Sequence, residues 1–105
     1  MNYTQAKTRA DILKAMANPV RVLIVHALHE GDRCVGDLHR LAGIAQSNIS
    51  RHLEKLKKAG LISDHRRGMK VYYHLETPCI LKAFECAVEV TQQESLRKQR
   101  LVKAG

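Results

Sequence analysis

No apolar run in this chain approaches the ~20 residues that a bilayer-crossing helix needs. No signal peptide opens it either, so the expectation is a cytoplasmic protein with no membrane partner. Internal repeats and low-complexity segments are missing. So are a glycine-rich phosphate loop, a nucleophile elbow and paired carboxylates suited to one cleft, which argues against an enzyme and against an organic cofactor. Acids are scarce: ten Asp and Glu stand against eighteen Lys and Arg, a formal net charge of +8 on 105 residues. That length suits one domain with a modest core. A surplus of this size favours an anionic partner, either nucleic acid or a membrane surface. Cysteine is sparse and odd in number, three residues, which does not describe a disulfide framework. In a reducing compartment these are core thiols, reactive thiols or metal ligands.

What is present is mostly helical pattern with clear punctuation. Ala10, Ile12, Leu13 and Met16 predict a first helix from about Tyr3 to Ala17. Asn18-Pro19 starts a second, with Asn able to cap and Pro tolerated in the first turn. The segment Val20 to Leu28 is apolar nearly all round, which predicts a central buried helix and structural roles for His26 and His29. Gly31-Asp32 ends it. An extended piece at Arg33-Cys34 precedes a helix through Asp37, Leu38 and Leu41, and Ala42-Gly43-Ile44-Ala45 forms a tight connection.

The next helix, Gln46 to Ala59, has two opposed faces. Ile49, Leu53 and Leu56 recur at i, i+4, i+7 and can bury against a core. Opposite them stand Ser47, Arg51, Glu54, Lys55 and Lys58, with Asn48 on the flank. Such a face can enter a DNA major groove, meeting base edges with its first turns and phosphates with its lysines. Gly60 supplies a left-handed cap. Helix, short turn, helix is the layout of a helix-turn-helix.

Two β-prone runs follow, Leu61 to Arg66 and Lys70 to Leu75, joined by Arg67-Gly68-Met69 as a hairpin. Tyr72 and Tyr73 alternate faces, one inward and one outward. Residues 46–75 hold seven Lys and Arg (51, 55, 57, 58, 66, 67, 70) and two acids (54, 64), a net of +5. A basic hairpin directly after a reading helix is suited to backbone or minor-groove contact beside it. Thr77-Pro78 then restarts helical structure, and Ile80, Phe84, Ala87, Val88 and Thr91 trace an apolar stripe to about Gln92. We expect this stripe and the first helix to form a homodimer interface. The boundaries expected are a domain over 1–92 and a polar, basic tail over 93–105.

In that order the parts resemble the ArsR/SmtB family of bacterial winged-helix repressors. The resemblance runs from about Ile12 to Val90. It rests on Lys14-Ala-Met-Ala-Asn-Pro-Val-Arg-Val-Leu-Ile24, Gln46-Ser-Asn-Ile-Ser-Arg-His-Leu53, Leu56-Lys-Lys-Ala-Gly-Leu-Ile62 and Arg66-Arg-Gly-Met-Lys-Val-Tyr-Tyr73. It implies a mainly α winged helix-turn-helix with about five helices and a small β-hairpin wing. It also implies a homodimer that represses from a palindromic operator and lets go on meeting an inducer. Gln46, Ser47, Ser50, Arg51 and His52 fall on the family's recognition-helix positions, and Arg66, Arg67 and Lys70 on its wing; with Asn48 and Lys55 from the outer face of the helix, these are the expected DNA contacts.

Arsenic-sensing members of the family often carry Cys-Val-Cys-Asp-Leu-Cys where this chain has Cys34-Val-Gly-Asp-Leu-His39, which keeps only the first thiol. The zinc-type site of Asp, His and Glu pairs on the last helix is also not visible. Cys34, Cys79 and Cys86 could together supply three thiolates. Such soft ligands suit arsenite, antimonite, Cd, Pb or Cu(I), or Zn with a fourth ligand such as His39. Cys79 and Cys86 share one helix face, about 10.5 Å apart along the axis. One ion therefore needs a distorted first turn or a site shared across the dimer. Cys34 is expected near the strand end at Tyr73–Leu75, a few residues from Cys79. Two other readings stand beside this one. Cys79 in a first helical turn suits a thiol-redox or persulfide sensor, and all three cysteines can be structural, with another effector or none. An architectural, non-specific DNA binder is a further alternative, which the polar tip Gln46 to Arg51 argues against.

Overall fold

The computed structural model describes the backbone of every residue except Ile44 and Gly105, and the side chains of the others save Ala42 and residues 99–104. Its elements run α1 (Tyr3–Met16), α2 (Pro19–Glu30), β1 (Arg33–Cys34), α3 (Val35–Ala42), α4 (Gln46–Lys58), β2 (Ile62–Arg67), β3 (Lys70–Leu75) and α5 (Ile80–Ala104). Among the described residues, five helices and one small antiparallel sheet, ordered β1-β3-β2, make a winged helix-turn-helix. Among the described residues, no helix is long and apolar enough to cross a membrane.

The starts and stops follow local chemistry. Asn2 and Gln5 exchange side-chain-to-backbone hydrogen bonds at 2.8 and 3.0 Å, a capping box on α1. The Asn18 side chain accepts from the N–H groups of Val20 and Arg21, and Pro19 fills the first turn of α2. At the end of α4, Leu61 N–H donates to Leu56 C=O and Gly60 N–H to Lys57 C=O, the two bonds of a Schellman ending. That ending needs a left-handed residue, and Gly60 has φ +79°. Of the expected connection at 42–45, Ile44 lies outside the described residues.

The core is where the helical stripes meet. Ile24, Val25 and Leu28 of α2, Leu38 of α3, and Ile49, Leu53 and Leu56 of α4 are buried together with Leu61, Ile62 and Leu75. Full burial of each such side chain contributes about 1.5–3 kcal/mol, enough to fix the face that α4 turns inward and hence the face it shows outward. The strap to the last helix is polar. Leu61 C=O accepts from Glu76 N–H at 3.0 Å and from the Thr77 hydroxyl at 3.4 Å, so the entry to α5 is tied to the residue following α4.

Several expectations need correction. The second helix is not buried all round: Leu23 is half exposed, and His26 and His29 both face solvent. α1, α3, α4 and β3 pack against it and leave Leu23, His26 and His29 uncovered. The last helix begins at Ile80, one residue after Cys79, and continues without a break through Ala104. Residues 93–104 continue that helix. They contain no Gly or Pro to stop it, and their Gln, Glu, Arg, Lys and Leu are good helix formers. Ile80, Leu81 and Phe84 are the residues of α5 that pack against the core; from Glu85 to Lys98 every described side chain is exposed.

Candidate nucleic-acid interface

α4 presents its polar side as the sequence pattern requires. Ile49, Leu53 and Leu56 are buried, while Gln46, Ser47, Asn48, Ser50, Arg51 and Lys55 are exposed. Its cap residue is Ala45, which makes no side-chain capping bond. The first N–H groups and the positive end of the helix dipole thus sit among Gln46, Ser47 and Asn48, a favourable place for phosphate or base acceptors. α3 packs against α4 to complete the helix-turn-helix.

His52 stands apart from the other expected contact residues. It is half-buried on the side of α4 towards α2, and its Nδ1 is buried without a hydrogen bond, as is Nε of Arg21. Burial first, and then the cations of Arg21, Lys55 and Arg51, hold its pKa below the ordinary value. His52 is therefore a neutral imidazole wedged between two helices rather than part of the exposed polar tip.

Ion pairing divides the lysines further. Lys57 Nζ lies 2.9 Å from Asp64 Oδ2 of β2, bridging the reading helix to the wing. The hydrogen bond from that carboxylate raises the Lys57 pKa. Lys58 Nζ lies 3.9 Å from Glu54 Oε1. Both acids of residues 46–75 are thereby matched to a lysine. Arg51, Lys55, Arg66, Arg67 and Lys70 are left with no intrachain salt bridge among the described residues. Those five cations carry the segment's net +5, and all five are exposed.

The wing is a hairpin in which Ile62 pairs with Leu75 and Arg67 with Lys70, around a two-residue turn of Gly68 and Met69. Gly68 takes φ +60° and Met69 a negative φ, the pattern of a type II′ turn whose twist matches that of the strands. Met69 at the tip is 99% exposed. The two tyrosines divide as alternation dictates. Tyr73 packs against the core, and burial is the first cause of its raised pKa. Tyr72 turns to the other face, where its ring centroid lies 6.1 Å from that of His65, with the Arg67 guanidinium 5.2 Å over it.

One group on that outer face was not picked out from the sequence. Asp32, just before β1, holds His74 Nδ1 at 2.7 Å and lies 3.7 Å from His65 Nε2. The hydrogen bond between them raises the His74 pKa and lowers that of Asp32. The signal was available: strand alternation places Ser63, His65 and Arg67 on one face with Lys70, Tyr72 and His74.

The cysteines do not converge within the chain. Cys34 is buried at the start of α3, where its thiol and N–H both hydrogen-bond the Asp37 carboxylate and lower its pKa. Cys79 and Cys86 are exposed. The register pairs Cys34 with Tyr72 and Arg33 with Tyr73, so Cys34 sits mid-strand rather than near the end of β3. That places it three residues, about 10 Å of extended chain, further from Cys79 than the strand end at Leu75. Among the described residues, no group of three or more His, Cys, Asp or Glu is placed to hold a metal ion.

Comparison with known proteins fits this arrangement. Residues 18–64, from the α2 cap to the first strand of the wing, match the family described as bacterial regulatory protein, arsR family. The nodulation protein NolR of Rhizobium meliloti is 38% identical over 80 residues, which are 76% of this chain and 66% of NolR. The transcriptional repressor SdpR of Bacillus subtilis is 42% identical over 67 residues, 64% of this chain and 74% of SdpR. A crystal structure of M. tuberculosis Rv0081 superposes with a TM-score of 0.75 at 30% identity, covering 92% of this chain and 98% of that one. The match runs through both helices of the helix-turn-helix and on into the hairpin. This chain belongs to the ArsR/SmtB family of bacterial regulatory proteins, which are DNA-binding transcriptional regulators.

Proposed function

We propose that this chain represses transcription as a homodimer on a palindromic operator, reading bases in the major groove with α4 and gripping backbone with the wing. The observation that carries the reading is the set of five exposed, unpaired cations. Arg51 and Lys55 stand on α4, and Arg66, Arg67 and Lys70 on the hairpin. Gln46, Ser47, Asn48 and Ser50 add short hydrogen-bonding groups at the helix start, where base edges are met. The dimer is supported by apolar side chains left in solvent on the two outer helices: Leu13 of α1 and Val88, Val90 and Leu96 of α5.

The test compares binding to a palindrome selected from random DNA with binding to a scrambled duplex at fixed salt. Arg51→Ala is expected to weaken the palindrome more than the scramble, and Arg67→Ala to weaken both about equally. Equal affinity of the unaltered protein for the two duplexes would instead make it an architectural binder.

For release, the cysteines form a soft-metal or metalloid site. A site of three thiolates for arsenite, antimonite, Cd, Pb or Zn draws on thiols from both protomers, because one protomer does not gather them. Arsenite titration read by sulfur-to-metal charge-transfer absorption checks this. No absorption, with DNA binding unchanged in Cys34→Ser, Cys79→Ser and Cys86→Ser, refutes it.

A further inference from the structure

The outer face of the wing carries a continuous chain of contacts from the start of β1 to the hairpin tip. Asp32 holds His74 at 2.7 Å and reaches His65 at 3.7 Å. His65 lies directly across the strands from Tyr72, with an interplanar angle of 22° between their rings. Arg67, one step towards the tip on the same face as His65, places its guanidinium over the Tyr72 ring. Cross-strand and diagonal neighbours on one face are the pairs that stabilise a hairpin. Both the ring pair and the cation over a ring fall within the distances at which such contacts attract.

We propose that Tyr72 is a positioning residue for DNA binding: its ring, braced by His65, holds the Arg67 guanidinium in place at the wing tip. This inference rests on the reading above in which Arg67 contacts DNA. An exposed arginine beside a two-residue turn has many rotamers open to it, and ordering it on binding costs free energy. A guanidinium already resting on a ring has fewer to lose, so the wing meets phosphate partly preorganised. The plane of the group matters as well as its charge, since arginine stacks on aromatic faces and binds phosphate through a planar fork. Arg67 has a second neighbour of opposite sign: the Asp32 carboxylate, which feels its charge, is occupied by His74 and His65.

The experiment measures affinity of the full chain for a random-sequence duplex of fixed length at low salt, with folding checked by circular dichroism. Tyr72→Leu is expected to lose about threefold to tenfold, while Tyr72→Phe, which keeps the ring, stays within about twofold. In an Arg67→Ala background, Tyr72→Leu should cause no further loss. An equal loss in both backgrounds would assign Tyr72 to general stability and overturn the proposal. So would full affinity in Tyr72→Leu while Arg67→Ala alone weakens binding, a result that leaves the wing reading intact. If Arg67→Ala alone changes nothing, the wing contact fails and the inference fails with it. Should Tyr72→Leu not fold, Arg67→Lys at the exposed tip keeps the charge and removes the planar group. It is expected to lose about twofold to fivefold, and wild-type affinity there would overturn the proposal.

Discussion

Suppose Lys55 is replaced by alanine in one variant, and Lys57 and Asp64 are both replaced by alanine in another. The two lysines are two residues apart on one basic helix, so about 200° of turn separates them and Lys55 falls on the outer face that Lys57 does not share. In the structure Lys55 has no salt bridge among the described residues, while Lys57 is 2.9 Å from Asp64. Each phosphate neutralised by a protein cation adds about 0.9 to the slope of log K against log salt, through release of condensed counterions. Five unpaired cations per protomer set an upper slope of about −9 for a dimer on one duplex. Lys55→Ala should make that slope shallower by about 1.8 for the dimer, so a fourfold rise in salt costs the variant about tenfold less affinity than wild type. The Lys57→Ala/Asp64→Ala pair removes one charge of each sign and should leave the slope within about 0.4 of wild type. Fluorescence anisotropy of a labelled duplex across a salt series reads both numbers. The reasoning is refuted if the double variant flattens the slope as much as Lys55→Ala does. That outcome would mean the lysine leaves its carboxylate to take a phosphate.

Three other outcomes follow from the packing and electrostatics. Leu53→Ala empties a fully buried position on the inner face of α4 and should lower unfolding free energy by about 2–5 kcal/mol in chemical denaturation; a loss under about 1 kcal/mol would contradict the core described. His52, whose pKa is depressed by burial and neighbouring cations, resists protonation in the fold, so its contribution is complete above the ordinary value of 6.5 and is lost as pH falls towards the lower folded value. His74 has the opposite sign: its pKa is raised by Asp32, so its contribution is complete below 6.5 and is lost as pH rises through the folded value. Between about pH 7.5 and about pH 5.5, His52→Gln should lose less stability than wild type and His74→Gln more, by denaturation midpoint; the reverse order would refute both assignments. Val88→Asp, on the exposed stretch of α5, should shift the proposed dimer towards monomer in sedimentation and weaken binding to the proposed operator with little change in helicity; an unshifted sedimentation profile would remove this face from the proposed interface.

Local chemistry made much of the fold legible before any coordinates. Asn18-Pro19, Gly60 and the Gly68 turn act within a few residues of themselves, and the Ile49, Leu53, Leu56 stripe states which side of α4 is buried. These features determine the helix-turn-helix, the wing and the family resemblance, because caps, turns and amphipathic period are short-range. Other facts depend on which residues meet across elements. The pairing of Lys57 with Asp64, the seating of His52 against α2, and the contacts among Asp32, His74, His65, Tyr72 and Arg67 come from the packing of helices and the register of strands. The same register places Cys34 opposite Tyr72, mid-strand, and among the described residues the three thiols that looked like one site along the sequence form no group placed to hold a metal ion. A basic reading helix and a basic wing are legible in residue order alone. That Lys57 is engaged by Asp64 of β2, while Arg51, Lys55, Arg66, Arg67 and Lys70 have no salt bridge among the described residues, comes from packing, because an ion pair between elements is set by distance in space rather than by distance along the chain.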